Sequence, residues 1–479
     1  MRSSLLLALA ALAACAPSPG YRESSVPVPV QFRESVNHNS SPAPAGVTPA
    51  VAASVEGAAH TSDDFWQALG DTTLNRLLEE VSRQNLDLRG AQARVGAARA
   101  ARERALMDLT PSLAFNGGYA RQRLSSASFP QAGGAFPDQD IWDAGFDASW
   151  ELDVFGRLRH NVRAQGAFNE AAQEDLRDVQ VSLTAEVSRA YFELRGAQEQ
   201  LSVARKNAEN QKRTLDLTQE RLDAGRGTAF DTERARAQLA TTLASIPSRE
   251  ADVAAASYRI GVLVGRAPAA VASELAPINP LPALPDVPTI GSPEVVVKYR
   301  PDVAAAERFA ASQRALVSAA KAEYLPRLSL GASAGYTSGD FSALGDNGTF
   351  RYGVGPTISW PGLNLGRVRA AVNERRALED EAQARYGQTV LRAMEDLENS
   401  MSRYRTSRER VDRLTEASVA SERAAELARL RFREGVTDFL QVLDSERTQL
   451  ESQDQLARSR TDAAIAYAAL YKAVGGRWN

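Results

Sequence analysis

Cysteine is almost missing from this chain: Cys15 is the only one in 479 residues. A disulfide framework is therefore excluded, and three scattered histidines, His38, His60 and His160, add no zinc constellation. Charge of one sign is also missing. With 56 basic and 59 acidic residues the net charge is −3, so no whole-chain field favours nucleic acid. Beyond the first fourteen residues no window approaches the ~20 apolar residues that a spanning helix needs, and mean hydropathy is −0.32. Any passage through a bilayer must then be made by β-strands. Nor is there a catalytic set. Glu379-Asp380-Glu381 and Glu395-Asp396-Leu397-Glu398 read as solvated faces of charged rods. Gly353-Val354-Gly355 lacks the third glycine and helix start of a phosphate loop. No enzyme, metal or soluble cofactor is expected.

What surrounds the lone cysteine is informative. Arg2, the apolar stretch Leu5 to Ala14 and the tetrad Leu12-Ala13-Ala14-Cys15 make a secretory leader with a cysteine at its cut point. The tetrad resembles the bacterial lipoprotein signal, which implies a diacylglyceryl group on the Cys15 thiol, an acyl group on its new amino terminus and a membrane tether. Ala16, rather than Asp, follows, which resembles the outer-membrane sorting pattern. Residues 1–14 are thus read as leader and 15–60, rich in Pro, Ser, Ala and Val, as an extended tether.

The rest is duplicated. Asn85-Leu86-Asp87-Leu88 and Leu109-Thr110-Pro111 recur as Arg300-Pro301-Asp302-Val303 and Tyr324-Leu325-Pro326 at an offset of 215. Trp150, Gly156 and Arg157 recur as Trp360, Gly366 and Arg367, and Leu217, Arg221 and Gly225 as Leu427, Arg431 and Gly435, at an offset of 210. The first repeat is placed at 61–267 and the second at 294–479, with a Pro-rich linker at 268–293. Each reads helix, two strands, very long helix, turn, long helix.

Proline is missing between Pro137 and Pro247 and from Gly362 to Asn479, so nothing forbids helices of exceptional length. Val187, Tyr191, Leu194 and Leu201, and likewise Leu391, Met394, Leu397, Met401 and Tyr404, keep three- and four-residue spacing. They predict a narrow apolar seam on rods at about 156–225, 228–265, 366–434 and 438–475. Pro247 should kink the second rod. Gly225 and Gly435 suit the left-handed residue that closes a helix, so each half folds back as a hairpin.

Four segments keep period two instead: about 112–122, 142–153, 326–337 and 350–361. Trp142 to Asp153 is apolar at every second residue, with Asp, Gly, Ser and Glu between. Strands of about ten residues with one apolar face and aromatics near the ends, here Trp142, Trp150, Tyr336, Tyr352 and Trp360, match transmembrane barrel strands. The stretches Leu124 to Ile141 and Ser338 to Thr349 read as loops on the far side of the membrane. Four strands cannot close a barrel, and an open edge in lipid leaves backbone groups unpaired. Copies of the chain must pool their strands, two copies giving eight or three giving twelve. A membrane-anchored periplasmic coiled-coil adaptor or scaffold without a pore would share the rods but leave these segments unexplained.

Phe65-Trp66-Gln67-Ala68-Leu69-Gly70-Asp71, Trp150-Glu151-Leu152-Asp153-Val154-Phe155-Gly156-Arg157 and Val442-Leu443-Asp444-Ser445-Glu446-Arg447, with the lipobox, resemble the TolC/OprM outer-membrane efflux channels, and in particular their NodT-type lipoproteins. The resemblance implies a mainly α fold with a small β-barrel part: a homotrimer whose twelve-stranded barrel, four strands per chain, continues as a helical periplasmic tunnel. It implies an outer-membrane location in a Gram-negative cell, a periplasmic membrane-fusion adaptor and an inner-membrane transporter, usually of the RND type. The function implied is passive export through a conduit gated at its periplasmic end. By the same resemblance, Leu440, Gln441, Asp444 and Arg447 fall at the gate, with Asp444 at an acidic ring position and Gln441 where some members carry a second Asp. Arg221, Gly225, Thr228, Arg431, Gly435 and Thr437 fall at adaptor-docking tips.

Overall fold

The computed structural model describes residues 62–125, 137–286 and 292–476. Cys15, the leader and the tether lie outside the described residues. The element order is α1 (Ser62–Gln67), α2 (Thr72–Gln84), α3 (Leu86–Met107), β1 (Ser112–Gln122), β2 (Gln139–Leu152), α4 (Arg157–Asp223), α5 (Ala229–Leu263) and α6 (Pro268–Glu274). It continues with α7 (Pro293–Tyr299), α8 (Pro301–Ala322), β3 (Arg327–Ser338), β4 (Phe350–Ser359), α9 (Leu365–Arg433) and α10 (Phe439–Ala473). Helix, two strands, long helix, shorter helix therefore occurs twice. The two long helices, α4 with 67 residues and α9 with 69, each extend roughly 100 Å at the rise of an α-helix. Among the described residues no helix is long and apolar enough to cross a membrane.

The described chain divides into two compact units. One holds 94–173 and 305–387, the other the residues up to 93, 174–304 and 388 onward. In the first unit the strands form a single antiparallel sheet in the order β1-β2-β3-β4. The β2–β3 pairing, Trp142↔Ser338 through Leu152↔Leu328, joins the two halves of the duplication. Among the described residues neither β1 nor β4 has an outer partner.

The second unit has an aromatic core. Phe65 stacks on Tyr467 at 4.3 Å, and Tyr404 lies 5.4 Å from Tyr467. Trp66, Tyr191 and Phe192 are buried with them. Asp71 caps α2 by accepting from the amides of Thr73 and Leu74, and its other oxygen accepts from the Tyr191 hydroxyl at 2.5 Å. Burial and that bond push the Tyr191 hydroxyl up to about 12, so it stays a donor. The duplication is visible in contacts too. The Asn85 amide donates to the Leu263 carbonyl at 2.8 Å, and Arg300, at the matching place, donates to the Ala473 carbonyl at 3.0 Å. Each ties the end of a return helix to the start of the helix that leads into the first strand of the same repeat.

Three details depart from the sequence expectation. Strand β2 starts at Gln139 rather than about 142, because Gln139 and Asp140 pair across to Gln122 and Arg121. The apolar seam of α9 uses Val390 and Ala393 ahead of Leu397, Met401 and Tyr404, while Leu391 is exposed. The Pro-rich zone opens as helix α6, since proline at the first helical position forfeits no hydrogen bond. As expected for a proline inside a rod, Pro247 lies within helix α5, and nothing in the structure explains it.

Candidate functional site

Cross-strand register separates the sheet into two faces. On one, Phe115 pairs with Phe146, Tyr119 with Trp142, Leu330 with Trp150, Val354 with Ala332 and Ile358 with Leu328. Every large side chain in that set is apolar or aromatic, and Tyr352 is 78% exposed. On the other, Asp143 pairs with Thr337, Asp147 with Ser333, Glu151 with Ser329 and Gly335 with Arg351. A soluble sheet would cover its apolar face; this one presents it.

The expected interface aromatics fall into two rows. Toward the loops, Trp142 contacts Tyr119 at 4.4 Å and Phe341 at 5.0 Å, and Tyr336 contacts Phe350 at 5.7 Å, with Tyr352 beside it. At the opposite end, the Trp150 indole N–H donates to the Leu109 carbonyl at 2.9 Å and that of Trp360 to the Tyr324 carbonyl at 3.0 Å. Both tryptophans thus fasten a helix-to-strand turn. The rest of the Trp150 signature makes the next joint. Glu151 accepts two bonds from Arg157, at 3.0 and 2.7 Å, and Asp153 accepts from the Leu158 and Arg159 amides that open α4. In the second half Pro361 and Leu363 replace those acids, and a short 3-10 turn, Gly362–Asn364, leads into α9 instead.

In the second unit the two hairpin turns have the same construction. Gly225 closes α4 at φ +66° and Gly435 closes α9 at φ +76°. The Arg226 amide donates back to the Arg221 carbonyl at 2.8 Å and that of Val436 to Arg431 at 2.9 Å, the bonding of a Schellman turn. Thr228 caps α5 and Asp438 caps α10. The Thr437 hydroxyl bonds to the Gln441 side chain. The two expected tip arginines differ. Arg221 lies on the Phe432 ring at 4.5 Å and donates to the Phe432 carbonyl, whereas Arg431 is exposed. Phe432, Phe439, Val442 and Ala235 form a small apolar core that holds the tips together.

Within one copy, Leu440 is 54% exposed, and Gln441, Asp444 and Arg447 are exposed on α10. Arg447 bonds to Glu451 one turn on, at 3.0 Å, not to Asp444. Two residues past Asp444, Glu446 is only 4% exposed and accepts from the Thr214 hydroxyl at 2.6 Å, with Arg429 at 3.8 Å. Asn207, Gln211, Thr214 and Thr218 form a buried polar stripe on α4, and Asn207 bonds to Gln453 of α10. This seam was missed in the sequence, although its 4-3-4 spacing was there to find.

Burial raises the Glu446 pKa above its ordinary 4.5. The neutral acid is therefore the form that the packed tip favours, and that stabilisation is lost as pH rises from about 4.5 through the raised value. Glu446→Gln, which keeps an acceptor for Thr214, is expected to flatten the fall in melting temperature between acidic and neutral pH. Thermal melts of the two proteins across that range check it, and equal slopes would contradict it.

A family model described as outer membrane efflux protein matches residues 77–266 and 293–476. The chain belongs to the outer membrane efflux protein family. This efflux protein is 29% identical over 487 residues to outer membrane protein OprJ of Pseudomonas aeruginosa, covering 100% of the chain and 96% of OprJ. It is 28% identical over 480 residues to the probable outer membrane lipoprotein SilC of Salmonella typhimurium, covering 96% and 95%. Among solved structures, the outer-membrane channel OprN superposes with a TM-score of 0.84 at 36% identity, covering 96% of the efflux protein and 99% of OprN. The fold of four strands per chain on long helices is that of the outer-membrane efflux channels.

Proposed function

We propose that three copies pool their sheets into a closed twelve-stranded barrel in the outer membrane, and that this barrel opens into a helical periplasmic conduit for passive export of small molecules. One observation carries the reading: an open antiparallel sheet whose two edges lack partners among the described residues and whose one face is apolar. In hydrocarbon each unpaired backbone group costs several kcal/mol, so β4 of one copy must meet β1 of the next. Twelve strands leave a watery lumen, whereas eight would be filled by side chains.

The remaining assignments follow from the same reading. The Cys15 thiol carries the diacylglyceryl anchor and its amine an acyl chain, so the protein is lipid-tethered to the outer membrane. The hairpin tips at Arg221, Gly225 and Thr228 and at Arg431, Gly435 and Thr437 meet a periplasmic membrane-fusion adaptor. That adaptor joins the conduit to an inner-membrane transporter of the RND type, which selects the cargo. Leu440, Gln441, Asp444 and Arg447, exposed near the second tip, line the aperture, where three Asp444 carboxylates make an acidic ring.

Planar-bilayer recording of the purified protein tests the reading. Discrete long-lived conductance steps are expected, and Asp444→Ala is expected to raise the single-channel conductance about two-fold or more by relaxing the ring. Protein that inserts without conducting would sink the conduit, and unchanged conductance in the variant would sink the gate assignment alone.

A further inference from the structure

We propose that the barrel wall itself, apart from the periplasmic end, discriminates cations from anions, and that Asp147 sets the preference. This rests on the pore reading and adds a filter at a second place. The polar face of the sheet is nearly bare: Gly118, Gly145, Gly335, Gly353, Ser333 and Thr357 are typical of it. Few charged side chains stand on this face within the paired rows, and among the described residues all but one are in a direct ion pair. Arg327 meets Glu323 at 3.3 Å, and Glu151 meets Arg157 at 2.7 Å. Arg351 reaches across two strands and holds both oxygens of Asp143, at 2.6 to 2.9 Å, with the Thr337 hydroxyl also bonded to Asp143.

Asp147 is the exception. Its carboxylate accepts from the Asn116 amide at 2.6 Å, a neutral donor that orients the group and leaves its charge. Its register neighbours are Ala114 and Ser333; among the described residues no cation stands within ion-pairing distance of it, and Arg351, held by Asp143, acts on it only through space. Lipid behind the wall and a bare, watery face in front focus the field of such a group into the lumen. Three copies place three of these charges at one level, the arrangement by which acidic rings favour cations. Cationic and zwitterionic cargo would be concentrated there, and anionic cargo would be resisted.

A local probe separates this wall from the gate. Ser333→Cys puts a thiol on the lumenal face directly across from Asp147. Its rates with a quaternary-ammonium and a sulfonate thiosulfonate reagent are measured on the purified full-length trimer, with the parent protein as blank for Cys15. Normalised to a free thiol, the cationic reagent is expected to react roughly ten-fold faster. Asp147→Asn should bring the ratio near unity, and Arg351→Gln, which removes the cation acting on both Asp143 and Asp147, should raise it. A ratio near unity in the parent background, or one that neither variant moves, overturns the filter while leaving the pore intact. A folded trimer labelled by neither reagent has no watery wall and overturns both.

Discussion

Cells carrying Gly435→Trp are expected to lose export completely while making normal amounts of trimer. Two features of the turn lead there. At φ +76° a side chain costs about 1–2 kcal/mol of backbone strain, a small charge against a trimer held by a barrel and long helices. A Cβ at this position would meet no atom of its own copy within 4 Å, so the side chain leaves the backbone into open space. The tip core of Phe432, Phe439 and Val442 stays intact. The obstructed object is whatever docks on the tip. Cargo accumulation should match that of cells lacking the gene, and adaptor should no longer co-purify, whereas Gly435→Ala should keep most of the activity. A parallel fall in trimer level and export would mean that the glycine only terminates a helix.

The second large effect is expected in the sheet. Gly335 faces Gly145 across the β2–β3 ladder, and a Cβ on Gly335 would stand 2.5 Å from the Ala144 carbonyl oxygen and 2.6 Å from the Gly145 Cα. Both are backbone atoms and cannot turn aside. Gly335→Val must therefore prise apart the pairing that joins the two halves of the duplication, and the freed amides and carbonyls would face hydrocarbon at several kcal/mol each. Loss of nearly all outer-membrane trimer is expected, read as disappearance of the heat-modifiable band on a gel. Gly331→Val is the control. It lies on the same strand and face, with both neighbouring strands in the chain and only the Gly355 carbonyl oxygen, at 3.9 Å, near its added Cβ, and should assemble normally.

The strands and rods were legible in the sequence because each rests on local periodicity. The twelve residues from Trp142 alternate without a break, and lipid on one side with water on the other forces that alternation in the structure. Helix ends were legible for a similar reason: Gly225 and Gly435 mark turns that need a left-handed residue. What escaped depends on neighbours distant in sequence. Glu446 looks like one more charge on a rod until Thr214, 232 positions away, bonds to it. The shift of the α9 seam from Leu391 to Val390 and Ala393 reflects which face other helices happen to cover. Glu151 and Asp153 were visible as a signature, but their work of turning a strand into a helix shows only in their bonds to Arg157, Leu158 and Arg159.

The pooled barrel is the premise on which conduit, gate and filter all depend, and the mass of the detergent-solubilised native protein tests it most directly. Native mass spectrometry is expected to give a single species of three chains, stable until the sample is heated. A monomer that stays folded with its apolar sheet in detergent, or a dimer with eight strands, would contradict it.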